Sequence, residues 1–313
     1  MEFDKSNDIH EHDTLVVPER LSLEKAKRVS GASGDYLVPQ RELAKAIFNF
    51  IRYSDASALP LSQVIPCYSD CDKRYKNVMK LAEDSDDDLK KAIIAREKTI
   101  ARALAHPNII SPVDYGIFTY FDHRVHFTVY KDLYPVKKET LSADEKFRFL
   151  EGVADALDYM HSRNTFHRDV KLDNALLNEQ GEGVLIDFGV VHWDEYFEKL
   201  LEDRSVGTPE YMAPEITLQE LRGSAESDRY SLGIAMWKLF AGDGEIWSRY
   251  YKQWPEFRIS SVQTLRQGDL SDEQYAVLVK ATSFYPDERY SSCGEQVEAF
   301  KQPTLSPGRD SNP

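Results

Sequence analysis

The stretch His167-Arg168-Asp169-Val170-Lys171-Leu172-Asp173-Asn174, followed shortly by Asp187-Phe188-Gly189, decides how the rest of the chain is read. It sets two carboxylates, Asp169 and Asp187, and one amide, Asn174, close together in sequence. Phosphoryl transfer between oxygens needs such a set. One carboxylate orients an attacking hydroxyl and accepts its proton, while an amide and a second carboxylate hold Mg²⁺ on the phosphates. His-Arg-Asp or Asp-Phe-Gly alone could be a chance tripeptide in a polar loop, but the two together in this order make chance a poor explanation.

Downstream stands Gly207-Thr208-Pro209-Glu210-Tyr211-Met212-Ala213-Pro214-Glu215, the most specific string in the chain. Together with the complete H-R-D-x-x-x-x-N pattern, it resembles the protein kinase family. The resemblance implies that Asp169 is the catalytic base and that Asn174 and Asp187 are the metal ligands. It implies that Lys171 steadies the transferred phosphate and that Thr208 orients the catalytic aspartate, a pairing similar to the Ser/Thr branch. Arg168 becomes the candidate receiver of an activation-loop phosphate. Ser205 is the nearest hydroxyl, Tyr196 is a more distant one, and Glu202 and Asp203 offer negative charge without modification. Glu215 is expected to pair with Arg289 in Pro286-Asp287-Glu288-Arg289-Tyr290. Asp228, in Ser227-Asp228-Arg229-Tyr230-Ser231-Leu232-Gly233, is expected to tie the catalytic loop down as a structural residue.

Upstream, Asn77-Val78-Met79-Lys80 is similar to the V-A-I-K strand, so Lys80 would grip the α and β phosphates of ATP. A helix is expected from Leu89 to Ala105, and the segment Ala105-His106-Pro107-Asn108-Ile109-Ile110 after it sets the register that makes Glu97 the partner of Lys80. In the place of the family's G-x-G-x-x-G-x-V loop stands Ser57-Ala58-Leu59-Pro60-Leu61-Ser62-Gln63-Val64, without a glycine. Glycine there lets backbone approach phosphate closely, so its absence bears on phosphate cradling. Val64 fits the position above the adenine, Leu176 the position below it, and Val78 is larger than the family's alanine. Gly31-Ala32-Ser33-Gly34 looks like a phosphate loop but lies too far before Lys80 to serve as one.

Composition narrows the setting. The 313 residues include 39 basic and 53 acidic ones, for a net charge of -14. Such a field repels phosphate backbones, so basic proteins fit better as partners than nucleic acid or an anionic membrane. Three cysteines, Cys67, Cys71 and Cys293, are too few and too scattered for a disulfide framework or a zinc site. No apolar run reaches membrane-spanning length, since the stretch from Ile234 to Phe240 is broken by Lys238. The expected location is the cytoplasm, or a cytosol reached without a cleaved signal peptide.

The resemblance implies an α+β, bilobal protein-kinase-like fold with a small β-rich N-lobe, a larger helical C-lobe and ATP with Mg²⁺ in the cleft between them. The expected layout is a flexible acidic arm over 1–19, an extension over 20–54 that packs on or leads into the small lobe, and a kinase domain over 55–300. Within that domain the lobes divide at about 133, and 301–313 form a disordered tail. Strands are expected at Val64 to Cys67 and Tyr75 to Leu81, with two more between Pro112 and Leu133. Ser142-Ala143-Asp144-Glu145 reads as the capped start of a helix burying Phe149, Val153, Ala156, Leu157 and Met160. The expected activity is transfer of the ATP γ-phosphate to protein Ser or Thr hydroxyls, with autophosphorylation and a possible regulatory partner. The alternative is a pseudokinase that scaffolds and turns over little ATP. A kinase-like small-molecule phosphotransferase is disfavoured by the string Gly207 to Glu215.

Overall fold

A computed structural model of the chain describes residues 26–53, 62–69, 76–84, 88–120, 122–192, 199, 206–217, 223–241 and 270–301. The expected arm over 1–19, residues 57–61 of the phosphate-loop segment and the turn around Cys71 lie outside the described residues. So do the acidic run at 85–87, Tyr196, Glu202, Asp203, Ser205 and the tail from 302. The chain divides into two compact units, Met1–Glu83 with Val113–Pro135, and Asp84–Pro112 with Val136–Pro313. One is built on a sheet and the other is largely helical, as the α+β expectation has it.

In the first unit, β1 (Ala26–Ser30), β2 (Asp35–Pro39), β3 (Ser62–Ser69), β4 (Lys76–Glu83), β5 (Asp114–Tyr120) and β6 (His123–Lys131) form one six-stranded sheet. The order is β1-β2-β3-β4-β6-β5, and every pairing is antiparallel. Alternation sets the faces. Asn77, Met79 and Leu81 are buried while Val78, Lys80 and Ala82 are half-buried, as a period of two requires. Met79 and Leu81 join Ile65, Cys67, Val125, Phe127 and Val129 in the core. Helix α1 (Gln40–Tyr53) lies on the path from β2 to β3 and adds Leu43 and Ala46 to this core. Burial, and secondarily the charge of Asp132, pushes the Cys67 thiol up to about 12, so it stays protonated as a packing group.

The two ends of the sheet meet. The Ala32 N–H donates to the Tyr115 carbonyl at 3.0 Å, and Lys27 Nζ donates to the Thr119 carbonyl at 3.4 Å. Contacts of this kind protect edge strands from pairing with other chains. The glycine-containing turn that tempts a phosphate-loop reading holds a carboxylate instead. Both oxygens of the buried Asp114 accept from the Ser33 N–H at 3.0 Å, and Oδ1 also accepts from the Tyr115 N–H at 2.8 Å. A Cβ on Gly31 would lie 2.3 Å from Asp114 Oδ2. Gly31→Ala is therefore expected to destabilise the protein by about 1–3 kcal/mol through overpacking. Urea unfolding checks this, and an unchanged midpoint would contradict the close approach.

The second unit contains α2 (Asp88–Ala103), α3 (Ala143–His161), the hairpin β7 (Ala175–Leu177) and β8 (Gly183–Leu185), α4 (Pro214–Thr217), α5 (Ala225–Ala241), α6 (Asp272–Ala281) and α7 (Cys293–Lys301). Ser142 and Glu145 form a capping box on α3, with the Ser142 N–H donating to Glu145 Oε2 at 2.8 Å. Phe149, Val153, Ala156, Leu157 and Met160 of that helix are buried in the main core. One turn before its end, Asp158 accepts from the N–H groups of Cys293 and Gly294, both at 2.8 Å, and so satisfies the start of α7. Every residue of α5 from Ser227 to Leu239 is buried, so each polar group on it must find a partner inside the protein.

Strands β1 and β2 and helix α1, within the segment over 20–54 expected to pack on or lead into the small lobe, are part of the first unit's sheet and core. The division between the units differs from the expected boundary in one respect. Helix α2, expected in the small lobe, groups with the second unit because Ile100, Ala101 and Leu104 are buried in the same core as α3 and α5. Among the described residues, no helix is long and apolar enough to cross a membrane.

Candidate active site

The loop after α3 is organised by a carboxylate beneath it. Asp228 is 1% exposed on α5. Its Oδ2 accepts from the His167 N–H at 2.8 Å and from His161 Nε2 at 2.9 Å, and its Oδ1 accepts from the Arg168 N–H at 2.9 Å. Burial opposes the charged form. The hydrogen bond and charge of His161, the charge of His167 and the Arg168 N–H outweigh it and hold the Asp228 carboxyl below the usual aspartate range. This grip holds Arg168 at φ 67, a left-handed conformation that costs a non-glycine residue roughly 1–2 kcal/mol. The next residue is Asp169.

Three side chains fix the Asp169 carboxylate. Thr208 Oγ1 donates to Oδ1 at 2.6 Å, and Asn174 Nδ2 donates to Oδ2 at 2.7 Å. Lys171 Nζ lies 3.0 Å from Oδ2 and donates to Thr208 Oγ1 at 2.7 Å. Asn174 Nδ2 also donates to the Asp169 carbonyl at 2.9 Å. The amide thus uses its hydrogens on Asp169, and its carbonyl oxygen Oδ1 is the atom suited to a cation.

Asp187 is brought near this group by backbone bonding. The Ile186 N–H donates to the Asn174 carbonyl at 3.0 Å, and the Ile186 carbonyl faces His167 Nε2 at 3.2 Å. Asp187 itself sits at φ 66, and Phe188 is fully buried against the edge of the His167 ring. Two left-handed non-glycine residues, Arg168 and Asp187, therefore belong to this group, and strain of this kind tends to cluster at functional sites. Asn174 and Asp187 offer oxygen donors, the chemistry a hard cation such as Mg²⁺ takes.

The segment after position 205 is anchored at both ends. Gly207 has φ 109, and a Cβ there would lie 2.6 Å from the Arg168 carbonyl. Only glycine fits that angle and that approach. At the other end, Arg289 Nη1 and Nη2 donate to Glu215 Oε1 and Oε2 at 2.7 and 2.8 Å in a buried two-pronged pair. The remaining donors of Arg289 reach the carbonyls of Ser283 and Glu226, both at 2.9 Å, and of Phe284 at 3.3 Å.

The structure thus joins Asp169, Lys171, Asn174 and Thr208 directly, and places Asp187 one residue beyond the Ile186 bond to Asn174. Arg168 Nη2 lies 3.0 Å from His192 Nδ1. Leu176 lies on β7 and Glu97 on α2, both half-buried in the second unit. Lys80, Val64 and Val78 stand in the first unit, on the strand positions that alternate with its core residues. Val64 is the cross-strand neighbour of Lys80. Sequence reasoning missed His161, whose bond to Asp228 joins α3 to α5, and Arg96, which donates to the Val191 carbonyl at 2.6 Å. It also missed Lys238, which pairs with Glu210 at 2.5 Å. No local pattern signals any of the three, although a lysine inside the apolar run from Ile234 to Phe240 was a hint of a buried ion pair.

The profile of the protein kinase domain matches residues 61–299. Among curated proteins, the chain is similar to CBL-interacting serine/threonine-protein kinase 5 of Arabidopsis thaliana, 32% identical over 155 residues, 48% of this chain and 34% of that protein. It is similar to Death-associated protein kinase 2 of Mus musculus, 32% identical over 162 residues, 48% of this chain and 41% of that protein. It is also similar to Serine/threonine-protein kinase PknD of Chlamydia abortus, 26% identical over 275 residues, 77% of this chain and 29% of that protein. The chain spans less than half the length of these relatives. The profile covers most of the chain, including the clamped Asp169, the left-handed Asp187 and the Glu215–Arg289 anchor, and the chain therefore belongs to the protein kinase domain family.

Proposed function

We propose that this chain is an ATP-dependent Ser/Thr protein kinase that transfers the γ-phosphate to a protein hydroxyl. The observation that carries the proposal is the fixed Asp169 carboxylate, held by Thr208, Asn174 and Lys171. A carboxylate held at both oxygens presents its remaining lone pairs in one direction, which aligns an acceptor hydroxyl before transfer. Asp169 takes the hydroxyl proton as the oxygen attacks, and Lys171 Nζ beside it balances charge on the group in flight. Mg²⁺, when bound, would neutralise charge on the phosphate oxygens, with Asn174 Oδ1 and the Asp187 carboxylate as its protein ligands.

Lys80 is the proposed phosphate contact of the first unit, with Val64 and Val78 on the same sheet face as its apolar base contacts. Leu176 is the proposed apolar base contact of the second unit. The proposed role of Glu97 rests on its place in α2, in the register set by the Ala105-His106-Pro107-Asn108-Ile109-Ile110 segment after that helix. Arg168, beside His192, is the proposed receiver of negative charge from the activation segment. Because β1, β2 and α1 share one core with the strand of Lys80, we extend the proposed catalytic domain upstream of 55 to include them. The proposed substrates are proteins bearing Ser or Thr. The test is Asp187→Ala in an assay of Mg²⁺-dependent transfer from labelled ATP. Loss of transfer of about 10²-fold or more, with an unchanged unfolding midpoint, is expected for a charge-stabilising group; full activity in the variant would contradict the assignment.

A further inference from the structure

Within the segment that holds Thr208 against Asp169, one ion pair is not used by the chemistry. The Tyr211 N–H donates to the Thr208 carbonyl at 2.9 Å and closes a turn over Thr208-Pro209-Glu210-Tyr211. Ser231 Oγ on α5 fixes the turn by donating to the Tyr211 carbonyl at 2.8 Å. From the same helix Lys238 Nζ reaches Glu210 Oε2 at 2.5 Å and lies 4.3 Å from the Tyr211 ring centroid. The two partners differ in exposure. The Lys238 side chain is 9% exposed and that of Glu210 45%. The visible group is the carboxylate, and the ammonium beneath it is almost wholly buried.

A buried ammonium depends on its counter-ion, because removing one partner leaves an uncompensated charge inside the protein. Glu210 is therefore committed to Lys238 and is a poor ligand for a further cation. Its position makes this matter. A closed turn keeps Glu210 within about 7 Å of Thr208, whose hydroxyl touches Asp169. An extended peptide advances about 3.3–3.6 Å per residue, so with its hydroxyl at Asp169, residues roughly two to four positions away pass Glu210.

We propose that Lys238 is a specificity-determining residue. By neutralising Glu210 it removes any preference for Arg or Lys at the peptide position abreast of Glu210, so that this chain accepts an uncharged and a basic residue there alike. The proposal rests on the kinase reading above. It also separates two effects of charge. The net charge of -14 draws basic partners toward the molecule at long range, while the neutralised pair withdraws local preference for a basic residue at the contact.

The test is fluorescence anisotropy with labelled peptides of one central serine, carrying Ala or Arg at each position two to four residues from it. The full chain is expected to bind the Ala and Arg peptides within about threefold of one another, as befits a rim contact worth little. Lys238→Met keeps a side chain of similar length and leaves Glu210 half exposed, where water can solvate it. This variant is expected to bind the Arg peptide at one position about tenfold more tightly than the Ala peptide, the gain of one charge-assisted bond. Lys238→Met combined with Glu210→Gln returns the ratio to near one. A tenfold Arg preference in the unaltered chain, an unchanged ratio in Lys238→Met, or no binding of any peptide overturns the proposal. Label transfer from ATP to the same peptides is read separately: peptides bound with the expected profile but never phosphorylated would sink the kinase reading and leave the selectivity standing.

Discussion

Asp169→Asn is expected to lower kcat for serine-peptide phosphorylation by about 10²–10⁴-fold, the range for loss of a general base. The substitution removes the proton acceptor and also disturbs its setting. Asp169 accepts at both oxygens, from Thr208 at Oδ1 and from Asn174 and Lys171 at Oδ2. An amide offers only one acceptor atom: turned one way its N–H groups face the donors Asn174 and Lys171, and turned the other way the Thr208 hydroxyl can no longer donate to it. The effect should therefore fall on kcat, while affinity for ATP measured without peptide changes little, because Asp169 is assigned no contact with the nucleotide. Thr208→Ser provides the control. It keeps the hydroxyl that holds Oδ1 and is expected to retain most activity, whereas Thr208→Val, which loses that hydroxyl, is not. A variant at Asp169 that kept wild-type kcat would remove the base from the mechanism.

Arg289→Leu carries the largest expected effect on stability. The guanidinium is 0% exposed and Glu215 5% at the side chain, and the pair is joined by two short hydrogen bonds. Breaking such a pair by removing one partner costs about 3–5 kcal/mol, because the other charge stays buried. That is a large share of the roughly 5–15 kcal/mol by which folded domains exceed their unfolded chains. Urea unfolding of the variant should show a much lower midpoint with a similar slope. Adding Glu215→Leu should recover part of the loss by removing the stranded carboxylate. It should not recover all of it, because Arg289 also serves the carbonyls of Ser283 and Glu226. Two single variants whose effects simply add would show that the pair is not coupled.

These two cases show what the amino-acid sequence could and could not reveal. Thr208, 39 residues from Asp169, and Arg289, 74 residues from Glu215, are reached only through the family resemblance. Asp169 and Asn174 are read directly because one short loop joins residues near in sequence and the chemistry restricts their identities. The capped start of α3 at Ser142 and its buried positions from Phe149 to Met160 are legible for the same reason, since helix periodicity is local. Pairings between distant segments carry no such mark. His161 meets Asp228 across 67 residues, and Lys238 meets Glu210 across 28. The place of β1 and β2 in the sheet is another example. Strand pairing is set by tertiary contact, and two five-residue strands with mixed composition say little alone. The turn at Gly31 has the composition of a phosphate loop, and only the arrival of Asp114 from another strand shows which anion it holds.

The departure upstream of Lys80 also has a structural side. Strands β2 and β3 are hydrogen-bonded neighbours, and the chain between them runs through α1, a 14-residue helix. A helix uses its own backbone N–H groups in its ladder, except in the first turn, so α1 itself has few amides to offer a phosphate; residues 54–61 lie outside the described residues. The oxygen donors and the clamp on Asp169 lie in the second unit and do not depend on that segment.

The most direct test of the account is transfer of label from γ-labelled ATP and Mg²⁺ to a peptide with one central serine, beside the same peptide with alanine in its place. The account predicts label in the serine peptide, none in the alanine peptide, and none in either with Asp169→Asn. Folded protein that binds ATP and the serine peptide yet transfers no label, or label that persists undiminished with Asp169→Asn, would contradict it.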